Sequence, residues 1–229
     1  MNLGVLAHPW LQLSLGLFGS RPERARPGAA RGAAPGAGQL DPLIGRAASG
    51  DRQAFDELFR RHVDEVHLRL TRLIGPDPER EDLVQEVFIA AYRGLADFRG
   101  DAAFSTWLYR IVVHAAYGHL RKRRRRPLEL DALPELSLPG EKSPEATAAR
   151  QELVREGLGL LARLKPKKRI AFVLREVEGL SLQEIGELVD ATPAAVGQRV
   201  KHAHVELQAM LERQAAKQQR AKQQHEGRA

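Results

Sequence analysis

The chain of 229 residues has no cysteine. That absence removes disulfide frameworks, thiolate metal sites and cysteine nucleophiles together, and fits a reducing compartment. Long apolar runs are also missing. The stretch from Trp10 to Phe18 falls well short of the ~20 residues that a membrane span requires, and no Lys or Arg precedes it. Three readings of this leader stay open: a signal peptide, an amphipathic tether, or a start that lies too far upstream. No phosphate-cradling G-x-x-x-x-G-K-[ST] loop, no H-E-x-x-H and no G-x-S-x-G occurs, so nothing points to an enzyme or to a bound cofactor.

What is present is apolar material for one large or two small packed domains, at 43% of residues. A net charge of +7 and a pI near 10.0 point to a polyanionic partner. The charge is not a uniform coat. Six basic residues run together from Arg121 to Arg126, while the flanking stretches 51–100 and 128–160 are acidic.

Residues 1–40 read as a disordered leader, since 19–40 are dominated by Gly, Ala, Pro and Arg and cannot bury enough surface to offset ordering entropy. From Asp41 the period becomes helical. Ala54, Phe55, Leu58, Phe59, His62, Val63 and Val66 form one apolar stripe with Asp51 as its N-cap. After Gly75, Pro76 and Pro78, a second helix over Asp82–Arg93 turns Leu83, Val84, Val87, Phe88 and Ala91 inward. Residues Phe98 to Phe104 read as a loop, and Ser105 starts a third helix.

Along that third helix Trp107, Leu108, Ile111, Val112 and Ala115 face inward, whereas Arg110, His114, Tyr117, Arg121 and Arg124 recur at steps of four, three, four and three. One face is apolar and the other basic and aromatic. Arg121 to Arg126, Lys122 included, can neutralise phosphates, and Tyr117 is the better candidate to stack on an unpaired base. Trp107 and Phe104 read as packing residues. Four prolines within 127–148 mark a flexible linker at 128–148 between domains at 41–127 and 149–213. The tail 214–229 reads as polar and fraying.

In the second domain, Ile170, Val173, Leu174 and Val177 form a stripe ended by Gly179 as a C-cap. Ser181 and Glu184 make an S-x-x-E capping box. Leu182, Ile185 and Val189 face inward, and Gly186 allows a close approach. Asp190, Ala191 and Thr192 form a turn in which Asp190 tolerates the left-handed conformation, Thr192 caps, and Pro193 takes the first helical position. The next helix buries Val196, Val200, Ala203 and Leu207 and turns Gln198, Arg199, Lys201, His202 and Glu206 outward. This is the pattern of a helix-turn-helix, whose second helix fits a DNA major groove. An ordinary helical hairpin has the same turn length.

In order along the chain, GDRQAFDELFRRH (Gly50 to His62), DLVQEVF (Asp82 to Phe88), FSTWLYRIVVHAAYGHLRKRRRR (Phe104 to Arg126) and LKPKKRIAFVLREVEGLSLQEIGELV (Leu164 to Val189) resemble bacterial sigma factors of the sigma-70 family, extracytoplasmic-function (ECF) group. The resemblance covers about Asp41 to Arg213. It implies an all-α protein of two small helical domains, cytoplasmic, that docks on RNA polymerase core and directs it to promoters. Asp82, Gln85 and Glu86 would then meet a coiled coil of the largest polymerase subunit. Arg110, His114, Tyr117, Arg121, Lys122 and Arg124 would hold the opened −10 element. Thr192, Gln198, Arg199, Lys201 and His202 would read the −35 element. An anti-sigma protein is a further partner that the resemblance implies.

Departures from the family pattern fall on both DNA-facing helices. His114 stands where Asn is usual and Gly118 where Asp is usual, while Ala195 to Arg199 reads A-V-G-Q-R in place of T-V-K-S-R. Gly197 costs about 1 kcal/mol relative to Ala in a helix interior and removes a phosphate-binding Lys. His202 and His204 lie on different helix faces, which argues against a metal pair. Two other readings remain: a sigma-like protein that sequesters core polymerase or an anti-sigma partner, and a stand-alone helix-turn-helix regulator. The second leaves DLVQEVF and the basic helix without a role.

Overall fold

The computed structural model describes residues 41–75, 77–123 and 155–226, which are helical or in turns. Eight helices follow in order: α1 Pro42–Ala48, α2 Arg52–Ile74, α3 Arg80–Gly94, α4 Phe104–Arg123, α5 over 155–163, α6 Pro166–Phe172, α7 Leu182–Leu188 and α8 Pro193–Glu226. The expected leader and the expected linker both lie outside the described residues.

Local chemistry sets most helix starts. Asp51 caps α2 by accepting from the Ala54 amide at 3.1 Å, and Asp41 caps α1 through the Leu43 amide at 2.9 Å. Helix α3 turns Leu83, Val84, Val87, Phe88 and Ala91 into the core, the stripe read from sequence. Two details differ. Helix α4 begins at Phe104, and its most buried residues are Leu108, Tyr109, Val112, Val113 and Ala116, so Trp107, Ile111 and Ala115 sit at the rim of its buried face. Phe59, expected on the inward stripe of α2, is exposed and meets Phe88 at 4.6 Å between centroids. Trp107 and Phe104 do pack, with Phe98, as an aromatic cluster.

In the C-terminal half, α6 passes into a π turn at Val173–Val177 where the sequence reads as plain helix. Gly179 follows at φ +74°, and the Leu180 amide closes onto the Leu174 carbonyl at 3.0 Å. Helix α8 buries Val196, Val200, Ala203 and Leu207. It then continues as helix to Glu226, beyond the Arg213 at which fraying is expected, because Ala, Lys, Gln and Arg are strong helix formers. At a rise of 1.5 Å per residue it is about 50 Å long.

The two halves pack against each other, α4 against α6 and α7, and α2 against the π turn. At Gly75 the halves come close together. It takes φ +76°, and a Cβ there would meet Leu158 at 3.3 Å and the Arg169 guanidinium at 3.4 Å. Arg169, only 4% exposed, donates its Nε to the Leu73 carbonyl at 3.0 Å and so satisfies a carbonyl at the end of α2.

Candidate nucleic-acid and protein interfaces

The turn between α7 and α8 carries the most complete local code. Ser181 Oγ accepts from the Glu184 amide at 3.2 Å, and Glu184 Oε2 accepts from the Ser181 amide at 2.7 Å, so both bonds of the capping box are made. Asp190 takes φ +49°. Thr192 Oγ1 accepts from the Ala195 amide at 3.2 Å, and the Ala191 amide closes on the Gly186 carbonyl at 3.0 Å. A Cβ on Gly186 would lie 2.5 Å from the Ala191 carbonyl oxygen, so the close approach needs glycine. Past this turn, Gln198, Lys201 and His202 are exposed on the side of α8 away from its core stripe, and Arg199 is half-buried at the edge of that stripe. Thr192 is exposed with its hydroxyl committed to the cap. Glu206, expected to face outward, is paired with Lys168 of α6, and His204 turns to Glu176 at 3.2 Å, away from His202.

On α4, Arg110, His114, Arg121 and Lys122 are exposed. Tyr117 is half-buried against the core, and Arg124 lies outside the described residues. Arg110 and His114 are engaged: Arg110 pairs with Asp190, and His114 Nε2 lies 3.5 Å from the same carboxylate. A cleft of about 500 Å³ adjoins them, walled on one side by the loop residues Phe98 to Ala102 and on the other by Glu184 and Glu187 of α7.

Arg123 belongs to the basic run in sequence but not in space. It points inward to Asp77, which is 5% exposed and also takes the His119 Nε2 at 2.8 Å. Burial pushes the Asp77 carboxyl up, but the His119 hydrogen bond, the Glu79 amide and the charges of His119 and Arg123 outweigh it and hold the group below the ordinary carboxylate range. Burial drives the Arg169 guanidinium down to about 10, with Arg123 adding to the shift and Asp77 opposing it. A second pair between the halves, Arg72 to Glu178, spans 3.0 Å with both side chains largely buried. Sequence reasoning missed Asp77, His119 and Arg169 as partners. The signal was there for two of them: Arg169 falls in register with Pro166, Ile170 and Val173, and His119 with Val112 and Ala116.

Asp82, Gln85 and Glu86 are all exposed on α3. Gln85 borders a groove of about 780 Å³ between α2 and α3, lined by Phe55, Phe59, Phe88, Ile89 and Tyr92 with Arg52, Asp56 and Arg93 at its edges. Phe59, Ile89 and Tyr92 are exposed there, an apolar patch of the kind that marks a protein interface. Among the described residues no cluster of His, Asp and Glu is arranged to hold a metal ion, and no helix is long and apolar enough to cross a membrane.

Comparison with known proteins gives this geometry a context. Residues 58–126 match the Sigma-70 region 2 family and residues 158–207 the Sigma-70, region 4 family. The RNA polymerase sigma-H factor of Pseudomonas aeruginosa is 36% identical over 169 residues, covering 70% of this chain and 88% of that protein. The ECF RNA polymerase sigma-E factor of Haemophilus influenzae is 37% identical over 169 residues, covering 70% and 89%. The sigma-E factor of Escherichia coli K12 is 36% identical over 174 residues, covering 70% and 88%. Among solved structures, CnrH in complex with the cytosolic domain of CnrY superposes with a TM-score of 0.52 at 29% identity, covering 74% of this chain and 95% of that one. Helix order, the capped turn and these relatives over both halves agree, and the chain belongs to the ECF group of the sigma-70 family of RNA polymerase sigma factors.

Proposed function

We propose that this chain binds RNA polymerase core and directs it to promoters, acting as an initiation factor and not as a catalyst. The observation that carries the reading is the pairing, in one chain, of a fully capped helix-turn-helix with a helix whose exposed face bears Arg110, His114, Arg121 and Lys122. Residues 41–127 supply core docking and the −10 contact, and residues 149–213 the −35 contact. On α8, Arg199 and Gln198 have the donors to read guanine and adenine edges, with Lys201 and His202 beside them and Thr192 at the helix start. Arg110, Arg121 and Lys122 of α4, together with Arg124 of the same basic run, neutralise phosphates, while His114 and Tyr117 lie along the path of the opened strand.

Core polymerase docks on α3 through Asp82, Gln85 and Glu86, and the neighbouring aromatic groove supplies apolar area for the same contact. The protein acts in the cytoplasm, on the nucleoid when bound to polymerase. An anti-sigma protein is its regulator, a reading in keeping with the partner-bound form of CnrH, solved with the cytosolic domain of CnrY. Transcription in vitro with core polymerase on genomic fragments, with 5′ ends mapped, tests the reading. Discrete start sites that require the chain are expected, and a general fall in transcription overturns initiation in favour of sequestration. Gln85→Ala with Glu86→Ala should weaken core binding in a titration without moving the melting temperature, because both side chains are exposed.

A further inference from the structure

We propose that Gly118 of α4 is a contact position for the opened −10 strand, a gap in the helix's polar ridge where the sugar of one nucleotide seats against the helix backbone. The inference rests on the initiation reading above and adds to it a residue that acts by having no side chain. Gly118 lies in the interior of the 20-residue helix α4, where glycine is the least favourable residue apart from proline. The fold does not ask for it. Gly75 takes a positive φ, and a Cβ on Gly186 would strike a backbone carbonyl, but a Cβ on Gly118 would meet nothing within 4 Å. Alanine would fit there and would favour the helix. The use of glycine is explained by what approaches from outside, since a residue without Cβ lets another chain come close to its backbone.

The neighbours of the gap set the chemistry of what enters it. Arg110, His114, Gly118 and Lys122 follow at steps of four along one ridge of α4, and Arg121 stands three residues on from Gly118. The side chains at 110, 114, 121 and 122 are exposed, and Gly118 is half-buried between them. At a rise of 1.5 Å per residue, His114 and Lys122 stand about 6 Å to either side of Gly118 along the axis. A nucleic-acid strand alternates anionic phosphates with neutral sugars, and this ridge alternates in the same way, with hydrogen-bond donors on both sides of a bare position. The sugar lies over Gly118, while the flanking phosphates reach Arg110 and His114 in one direction and Arg121 and Lys122 in the other. The gap is one turn beyond the contact of His114 with Asp190 and is open in the structure. An added methyl group would hold the strand off the backbone and lengthen the contacts of the flanking cations.

Gly118→Ala and Gly118→Leu test the gap. Gly45→Ala is the control, because a Cβ there also meets nothing within 4 Å and α1 is not a DNA-facing helix. Core polymerase carrying each full-length variant is titrated into a fluorescein-labelled single strand with the −10 sequence of a promoter located by the start-site mapping, and affinity for core is measured in parallel. Strand binding is expected to weaken at least about threefold for Gly118→Ala and about tenfold for Gly118→Leu, with Gly45→Ala within about twofold of the parent. All three should keep the parent's affinity for core, and Gly118→Ala should melt about 2–4 °C higher than the parent. Weaker strand binding by a more stable protein is an outcome that a merely structural glycine would not give. Equal strand affinities for both Gly118 variants and the parent overturn the gap, as does a loss matched by Gly45→Ala or by weaker core binding. A Gly118→Ala protein that melts below the parent overturns it too, since glycine would then be serving the fold. If no start sites are found, the initiation reading falls and this inference with it; start sites alongside unaffected strand binding discard the gap alone.

Discussion

Replacing Gly186 with alanine isolates the demand that the turn places on α7. A Cβ at this position would lie 2.5 Å from the Ala191 carbonyl oxygen and 3.7 Å from its carbon, so the obstacle is backbone and cannot rotate away. The turn must move, and the bond from the Ala191 amide to the Gly186 carbonyl at 3.0 Å moves with it. Overpacking of this kind costs about 1–3 kcal/mol and the lost hydrogen bond about 0.5–1.5 kcal/mol, against a gain of about 1 kcal/mol in helix propensity. The net is a loss of about 0.5–3.5 kcal/mol, which for a chain of this size lowers the melting temperature by about 2–4 °C per kcal/mol. Gly197→Ala is the internal reference. There the nearest atom to an added Cβ is the Leu182 Cδ1 at 3.4 Å, an ordinary contact, so the propensity gain stands and the protein is stabilised by about 1 kcal/mol. Thermal unfolding followed by circular dichroism reads both. A Gly186→Ala protein that melts at or above the parent, or a Gly197→Ala protein that melts well below it, would refute this account of the turn.

Asp77→Ala leaves His119 and Arg123 without the carboxylate they share and takes a compensating charge from the vicinity of buried Arg169, and removing one partner of a buried charge group costs about 3–5 kcal/mol, read as a lower midpoint in urea unfolding. The same carboxylate gives the parent a pH dependence: its pKa is lower folded than unfolded, so it stabilises the fold above the ordinary carboxylate value of about 4 and loses that contribution as pH falls through the lowered one. Unfolding free energies measured across acid pH should therefore fall more shallowly for Asp77→Ala than for the parent. Arg199→Ala should weaken binding of the polymerase-bound protein to the upstream promoter element by about 1–3 kcal/mol if its guanidinium makes a bidentate base contact, and unchanged footprints at that element remove Arg199 from the reading.

The features legible in the sequence are those encoded within a few residues. The capping box at Ser181 and Glu184, the left-handed Asp190, the Thr192 cap and the tight approach at Gly186 all depend on neighbours no more than five positions away, and each residue type admits few alternatives. Apolar stripes were readable for α3 and α8 because their burial is one-sided. The stripe of α2 was harder, since Phe59 satisfies the helical period yet faces a groove, and periodicity does not distinguish a core face from a docking face.

What the sequence does not encode locally is the meeting of the two halves. The pairs Arg72 to Glu178 and Arg110 to Asp190 join residues 106 and 80 positions apart, and no periodicity reports a contact at such range. The basic run illustrates the consequence. Consecutive cations suggest one continuous phosphate-binding surface, but a helix rotates successive side chains by about 100°, so the three that lie in α4 cannot share one face. Arg123 falls on the inward side and meets Asp77, while Arg121 and Lys122 remain exposed. The same rotation sets Arg110 and His114 four residues apart on one face, within reach of a single carboxylate.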